Sequence, residues 1–279
     1  MPYRIAPDIY VYQSSMWQTN SAVIINQTAN LVIDPCYFPA EIRIIADFVN
    51  RKRSFNRYMI FTHSDFDHIV GYQNFKNYKL VAHEEFAFCD RDSQLIQLNE
   101  IDQSYYVLRT PPFVFPDPEI TFQGTYRISI SGDELLLVHA PGHTGDCIFV
   151  ISLERGIMFA GDYLSNLEFP FVNFSTAAYK KTLDLAGKLV RDHNITCVVP
   201  GHGDIADGRE EIFDRIESDR EYLVSLTEWA QDLFVQGLQT REITEVLSGL
   251  PYRNRPIEGV MLKMHIENIK LVISELQSF

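Results

Sequence analysis

The chain has 279 residues, 46% of them hydrophobic and 22% charged, ordinary globular usage that excludes a disordered or low-complexity chain. Its 24 Lys and Arg face 37 Asp and Glu, a formal charge of −13. Such a surface repels nucleic-acid phosphates and anionic lipid, and the densest basic run, Arg51-Lys52-Arg53, is too short to reverse that.

No apolar run reaches the roughly 18 residues of a membrane span, and Met1 to Asp8 holds no signal-peptide core. Cys36, Cys89, Cys147 and Cys197 lie far apart without CxxC spacing. The expectation is a cytoplasmic protein with reduced thiols and neither a nucleic-acid nor a membrane partner.

In chain order, Ile9 to Tyr12, Ala22 to Ile25 and Asn30 to Asp34 are β-branched and aromatic runs parted by polar turns, which predicts a strand meander. Residues 39–50 change to a helical period, with Pro39 in the first turn. Tyr58 to Thr62 reads as a buried strand, Lys79 to Ala82 as another, and His83 to Asp90 as a short helix. Residues 91–118, broken by Pro111-Pro112 and Pro116-Asp117-Pro118, read as a long irregular excursion near the site.

Strand signals return at Tyr126 to Ile130, Glu134 to Val138, Asp146 to Ser152 and Gly156 to Phe159. A helix is expected over Thr176 to His193, a strand over Ile195 to Pro200, and helices over Arg209 to Leu238, Thr240 to Leu250 and Gly259 to Gln277. Alternation to residue 200 and helices thereafter predict a layered α/β core. Residues 1–205 form the expected catalytic domain, and 206–279 a helical extension packed on it or forming a homodimer contact.

The chemistry concentrates in Thr62-His63-Ser64-Asp65-Phe66-Asp67-His68. An extended segment would turn His63, Asp65 and Asp67 to one side, with His68 able to swing in. Carboxylates clustered at a strand end repel one another, and a divalent cation supplies the missing charge. Helix capping by Asp65 or Asp67 would explain one of the four residues and not the group. His143 in Pro141-Gly142-His143, Asp162 in Gly161-Asp162-Tyr163 and His202 in Gly201-His202-Gly203 each follow a predicted strand beside glycine. Seven candidate ligands result: His63, Asp65, Asp67, His68, His143, Asp162 and His202.

From about residue 8 to residue 205 this order resembles the metallo-β-lactamase superfamily, with its H-x-H-x-D-H motif and later single His, Asp and His ligands; Asp34 also fits the pattern. The resemblance implies a four-layer αβ/βα sandwich with metals at one edge of two sheets. It assigns His63, Asp65 and His143 to one ion, Asp67, His68 and His202 to the other, and Asp162 to both. Asp65 departs from the pattern, standing where the family usually has histidine. A carboxylate is harder and shorter than imidazole, so iron or manganese enters beside zinc, the first expectation; a flavodiiron branch has glutamate there.

Two divalent ions would lower the pKa of a shared water. The expected activity is metal-dependent hydrolysis of an ester, thioester, lactone or similar small-molecule bond by a metal-activated hydroxide. The alternative is an iron-dependent oxidoreductase of diiron or persulfide-handling type. Asp67 is expected to orient the water or accept a proton, and Tyr163 to hydrogen-bond an oxyanion. Residues 168–174 are expected to wall the pocket and Tyr105-Tyr106 to form a lid; His83, His139, His193 and His265 carry no catalytic expectation.

Overall fold

The computed structural model describes residues 2–51, 54 and 56–278; Lys52 and Arg53 of the basic run lie outside the described residues. The first sheet comprises β1 (Tyr3–Ala6), β2 (Ile9–Gln13), β3 (Asn20–Ile25), β4 (Ala29–Ile33), β5 (Asn56–Ile60), β6 (Lys79–His83) and β7 (Ile120–Phe122), paired in that order. The first four form an antiparallel meander, and β4 to β7 are parallel. The second sheet comprises β8 (Thr125–Ile130), β9 (Asp133–His139), β10 (Ile148–Ser152), β11 (Ile157–Phe159), β12 (Cys197–Val199) and β13 (Ala206–Asp207), in which only β11 and β12 pair parallel.

The parallel pairs require helical crossovers. Helix α1 (Pro39–Asn50) joins β4 to β5, and α2 (Phe66–Ile69) and α3 (Arg91–Ser104) flank β6. Helix α4 (Thr176–Asp192) joins β11 to β12, and α5 (Arg209–Val235), α6 (Thr240–Leu247) and α7 (Gly259–Gln277) complete the chain.

Alternation along the strands sends one set of side chains between the sheets and the other beneath helices. Ile24, Leu31 and Ile60 meet Leu137, Val150 and Phe159 between the sheets. On the outside of the first sheet, Val32, Met59 and Phe61 pack under Ile42, Ile45 and Val49 of α1. On the outside of the second, Phe149, Ile151 and Met158 pack under Leu183, Ala186 and Val190 of α4. These are the four expected layers. The last three helices extend the same core through Leu223, Leu247, Ile269, Val272 and Ile273. Among the described residues no helix is long and apolar enough to cross a membrane.

One expectation is corrected here. Residues 91–104 form a helix and not irregular chain, because the prolines all lie beyond it and Asp90 caps its start, accepting from Ser93 N–H at 3.1 Å. Only Leu98 of this helix is buried, so its sequence carries little helical periodicity.

Candidate metal centre

Parallel strands end together, so β4, β5, β11 and β12 deliver the segments after them to one edge of the sandwich. Hydrogen bonds tie the sheets there, among them Ile148 N–H donating to Thr62 O at 2.8 Å and Asn20 N–H to Gly201 O at 2.6 Å. His63 follows β5, Asp162 follows β11, and His202 follows β12. Asp67 and His68 project from α2 instead of continuing an extended segment, so Asp67 parts from His63 and Asp65.

The seven residues converge in two sets, His63, Asp65, His143 and Asp162 in one and Asp67, His68 and His202 in the other, with the donor atoms of each set within 4.8 Å of one another. Asp162 stands between them. Its Oδ2 lies 3.6 Å from His63 Nε2 and 3.4 Å from His143 Nε2, while its Oδ1 lies 3.0 Å from His68 Nε2 and 3.4 Å from His202 Nε2. Gly201 makes room, since a Cβ there would fall 2.2 Å from Asp162 Oδ1.

All four imidazoles face the centre with Nε2 and are held from behind at Nδ1. His143 Nδ1 lies 2.8 Å from Phe171 O, His202 Nδ1 3.1 Å from Trp17 O, and His68 Nδ1 3.0 Å from Asp34 Oδ2. Those oxygens only accept. His63 Nδ1 lies 3.0 Å from Thr62 Oγ1, whose own hydrogen goes to Asp34 Oδ2 at 2.6 Å. Each Nδ1 therefore carries a proton, which turns the Nε2 lone pair inward as a metal requires.

Burial, reinforced by the neighbouring His68, pulls His63 down to about 4. Burial also pushes His143 down, but its hydrogen bond to Asp65 and the charge of Asp162 raise it to about 9. Asp162 is held well below the usual carboxylate range, against burial, by His202, His68 and His63. Yet His63 Nε2, Asp67 Oδ2 and Asp162 Oδ1 are buried without an aligned hydrogen bond. Orphaned lone pairs with no donor among them, meeting in one place, fit a bound cation.

Asp65 reaches the first set. Its Oδ2 lies 3.1 Å from His143 Nε2 and 3.7 Å from His63 Nε2, and it makes no capping bond at the start of α2. Gln94 of α3 orients it, donating to Asp65 Oδ1 at 2.7 Å and accepting from Phe66 N–H at 2.8 Å. No motif marks Gln94 in the sequence.

Tyr163 does not take the place expected of it. It is buried in the core, where its hydroxyl donates to Ala140 O at 2.8 Å and accepts from His143 N–H at 3.0 Å. It positions the His143 backbone and does not line the cavity. His83, His139, His193 and His265 lie outside both sets; His265, for one, is buried against Tyr222 and Leu247 O.

A cavity of about 500 Å³ opens over the centre. Of residues 168–174, Glu168 to Phe171 wall it and Val172 to Phe174 do not; across from them stand Gln97 and Ile101 of α3 and Met261 and Met264 of α7. Tyr105 and Tyr106 are exposed past the end of α3 and are not among its walls, so they form no lid in this conformation.

Among solved structures, the chain is similar to the stereoselective inverting sec-alkylsulfatase Pisa1 from Pseudomonas sp., with TM-score 0.76 and 14% identity over 100% of this chain and 50% of that one. A double mutant of the same sulfatase gives TM-score 0.77, at the same identity and coverage. A metallo-beta-lactamase from Pontibacter korlensis gives TM-score 0.57 and 15% identity over 78% of this chain and 98% of that one. The chain thus spans about half the length of the sulfatases and nearly all of the lactamase is covered by it. No curated protein matches it by sequence. The sequence pattern of the Metallo-beta-lactamase superfamily matches residues 15–202, from the turn before β3 through the last of the seven centre residues, and the chain belongs to that superfamily.

Proposed function

We propose that the chain is a dinuclear metal-dependent hydrolase acting on an ester, thioester, lactone or similar bond of a small molecule with an apolar body. The observation that carries this reading is Asp162, one carboxylate with an oxygen facing each of two ligand sets whose four imidazole lone pairs point inward. His63, Asp65 and His143 would hold one ion, Asp67, His68 and His202 the other, with Asp162 shared. Bound there, two divalent ions would supply Lewis acidity and lower the pKa of a water.

The chain's own groups do the rest. Asp67 Oδ2, buried without an aligned hydrogen bond, would orient the water and take its proton. Trp17, Phe66, Phe169 and Phe171 line the cavity, exclude water and hold an apolar substrate body. The similar sulfatases, named for alkyl substrates, add a sulfate ester to the candidate bonds. Zinc is the first candidate metal, with iron and manganese admitted by Asp65. The four cysteines are free, in keeping with the cytoplasmic setting proposed here.

The test is metal analysis of protein purified without added metal, followed by ester, thioester, sulfate-ester and phosphodiester assays with zinc, manganese and iron. Two ions per chain and turnover of one ester class are expected. Iron together with oxygen or persulfide turnover would replace this reading by the oxidoreductase one.

A further inference from the structure

We infer that a second cavity beside the metal centre binds an anionic group, a carboxylate or its sulfate or phosphate equivalent, at the far end of the substrate. The choice of substrate as its source rests on the hydrolase reading above. This cavity, of about 580 Å³, is lined by Arg253 and Arg255 and shares Phe169 and Met261 with the metal cavity.

The two arginines flank Asn254 in a tight turn closed by Tyr252 and Arg255, whose backbones exchange bonds of 3.0 and 2.9 Å. Arg253 and Asn254 both take left-handed backbone, at φ 49° and 57°. For arginine that conformation carries a steric cost of order 1 kcal/mol, which the closed turn sustains. Neither guanidinium is in a close ion pair among the described residues; Arg253 lies 5.2 Å over the Tyr252 ring and its charge acts on Asp219, while its Nε is buried with no hydrogen-bond partner. In a chain with 37 acidic and 24 basic residues, this is a local concentration of positive charge, although Asp219 and Glu211 feel the Arg253 charge. Glu258 is the one carboxylate that lines it.

The metal cavity has the opposite character. Asp65, Asp67, Asp162, Glu168, Glu100 and Asp219 line it, with no Lys or Arg. Away from bound cations it repels an anion, while the neighbouring guanidinium forks match a carboxylate in both charge and geometry. A substrate anionic at one end is therefore oriented. Its reacting bond lies at the centre, its apolar stretch crosses Phe169 and Met261, and its charged end reaches Arg253 and Arg255.

The experiment compares mono-p-nitrophenyl suberate with its methyl ester, which lacks the distal charge, by release of p-nitrophenol. The metal-loaded protein should prefer the acid in kcat/KM by about tenfold or more, as a charge-assisted contact implies. In R255Q, and in R253N, which keeps a residue suited to left-handed backbone, the ratio should fall toward one through KM. An unchanged ratio in the double variant overturns the subsite.

If neither ester is hydrolysed, and no ester class in the assays above is turned over, the hydrolase reading has failed, and calorimetry with octanoate against octanamide still reads the cavity. Octanoate should bind more tightly to the wild-type chain and lose that advantage in R255Q; equal binding of acid and amide overturns the subsite. Inorganic sulfate competing as strongly as octanoate would assign the cavity to a free anion and overturn its role in substrate orientation. Thermal melts check folding, and R255Q alone carries the test if R253N does not fold.

Discussion

Asp65 is the carboxylate of the first set that α3 supports, and Gln94 holds it there. Without the bond to its Oδ1 the carboxylate would be free to rotate away from His143 toward the start of α2. Replacing Gln94 by Leu should weaken the first ion by roughly 10–100-fold, the usual effect of losing an orienting partner, while sparing the second; competition with a chromophoric chelator measures both. Asp65→His should raise zinc occupancy of the first set, and unchanged stoichiometry after that swap would show that Asp65 binds nothing. Gly201→Ala is the harsher change. Its Cβ would meet Asp162 Oδ1 at 2.2 Å and His68 Cε1 at 2.9 Å, so both ions should be lost in a protein that still folds, and retention of two ions would contradict the close approach described here. The seven centre residues were legible because each follows a strand-like run and carries a metal-binding side chain. Gln94 was not: a lone glutamine on a weakly patterned helix looks like any surface residue. Tyr163 was misjudged for the reverse reason, since adjacency to Asp162 in sequence says nothing of which way a buried ring turns.

At the scale of elements, α7 braces the loop behind His143 through one asparagine. Asn268 is fully buried; it accepts from Val172 N–H at 2.8 Å and donates to Pro170 O at 2.7 Å and Tyr222 Oη at 2.9 Å. It thereby fixes the loop whose Phe171 carbonyl holds His143 Nδ1. Asn268→Ala leaves those loop groups buried and unpaired, at a cost of about 1–3 kcal/mol, and frees the support of His143. A lower melting temperature and a weaker first ion should appear together. If stability falls while the affinity of the first set is untouched, the loop does not transmit the helix's position. Helical period announced α7, but the loop it clamps is aperiodic, so the link between them was invisible in sequence. The prolines beyond residue 110 likewise drew attention away from α3, a helix with a single buried residue.

The layered architecture was readable because alternation of strand and helix leaves few ways to cover two sheets, and because the apolar runs of β3, β4 and β10 are buried along their whole length or nearly so. What the pattern left open was whether the last three helices pack on the core or on a second copy; they share the core of the second sheet. Removing the ions should destabilise the molecule. A ligand at 100 times its Kd contributes about 2.7 kcal/mol, which for a chain of this size is on the order of 5–10 °C in Tm. The gap should depend on pH. In the ion-free protein His143 is raised to about 9, above its unfolded value near 6.5; the stability this contributes is complete below about 6.5 and is lost as pH rises through about 9. The ion-loaded protein needs that imidazole neutral, so metal binding must displace its proton and tightens over the same interval. The difference in Tm between loaded and chelated protein should consequently widen from pH 6.5 to 9. Scanning calorimetry of the two forms at matched pH measures it, and a gap that is absent, or that narrows as pH rises, would mean that these imidazoles do not hold the ions.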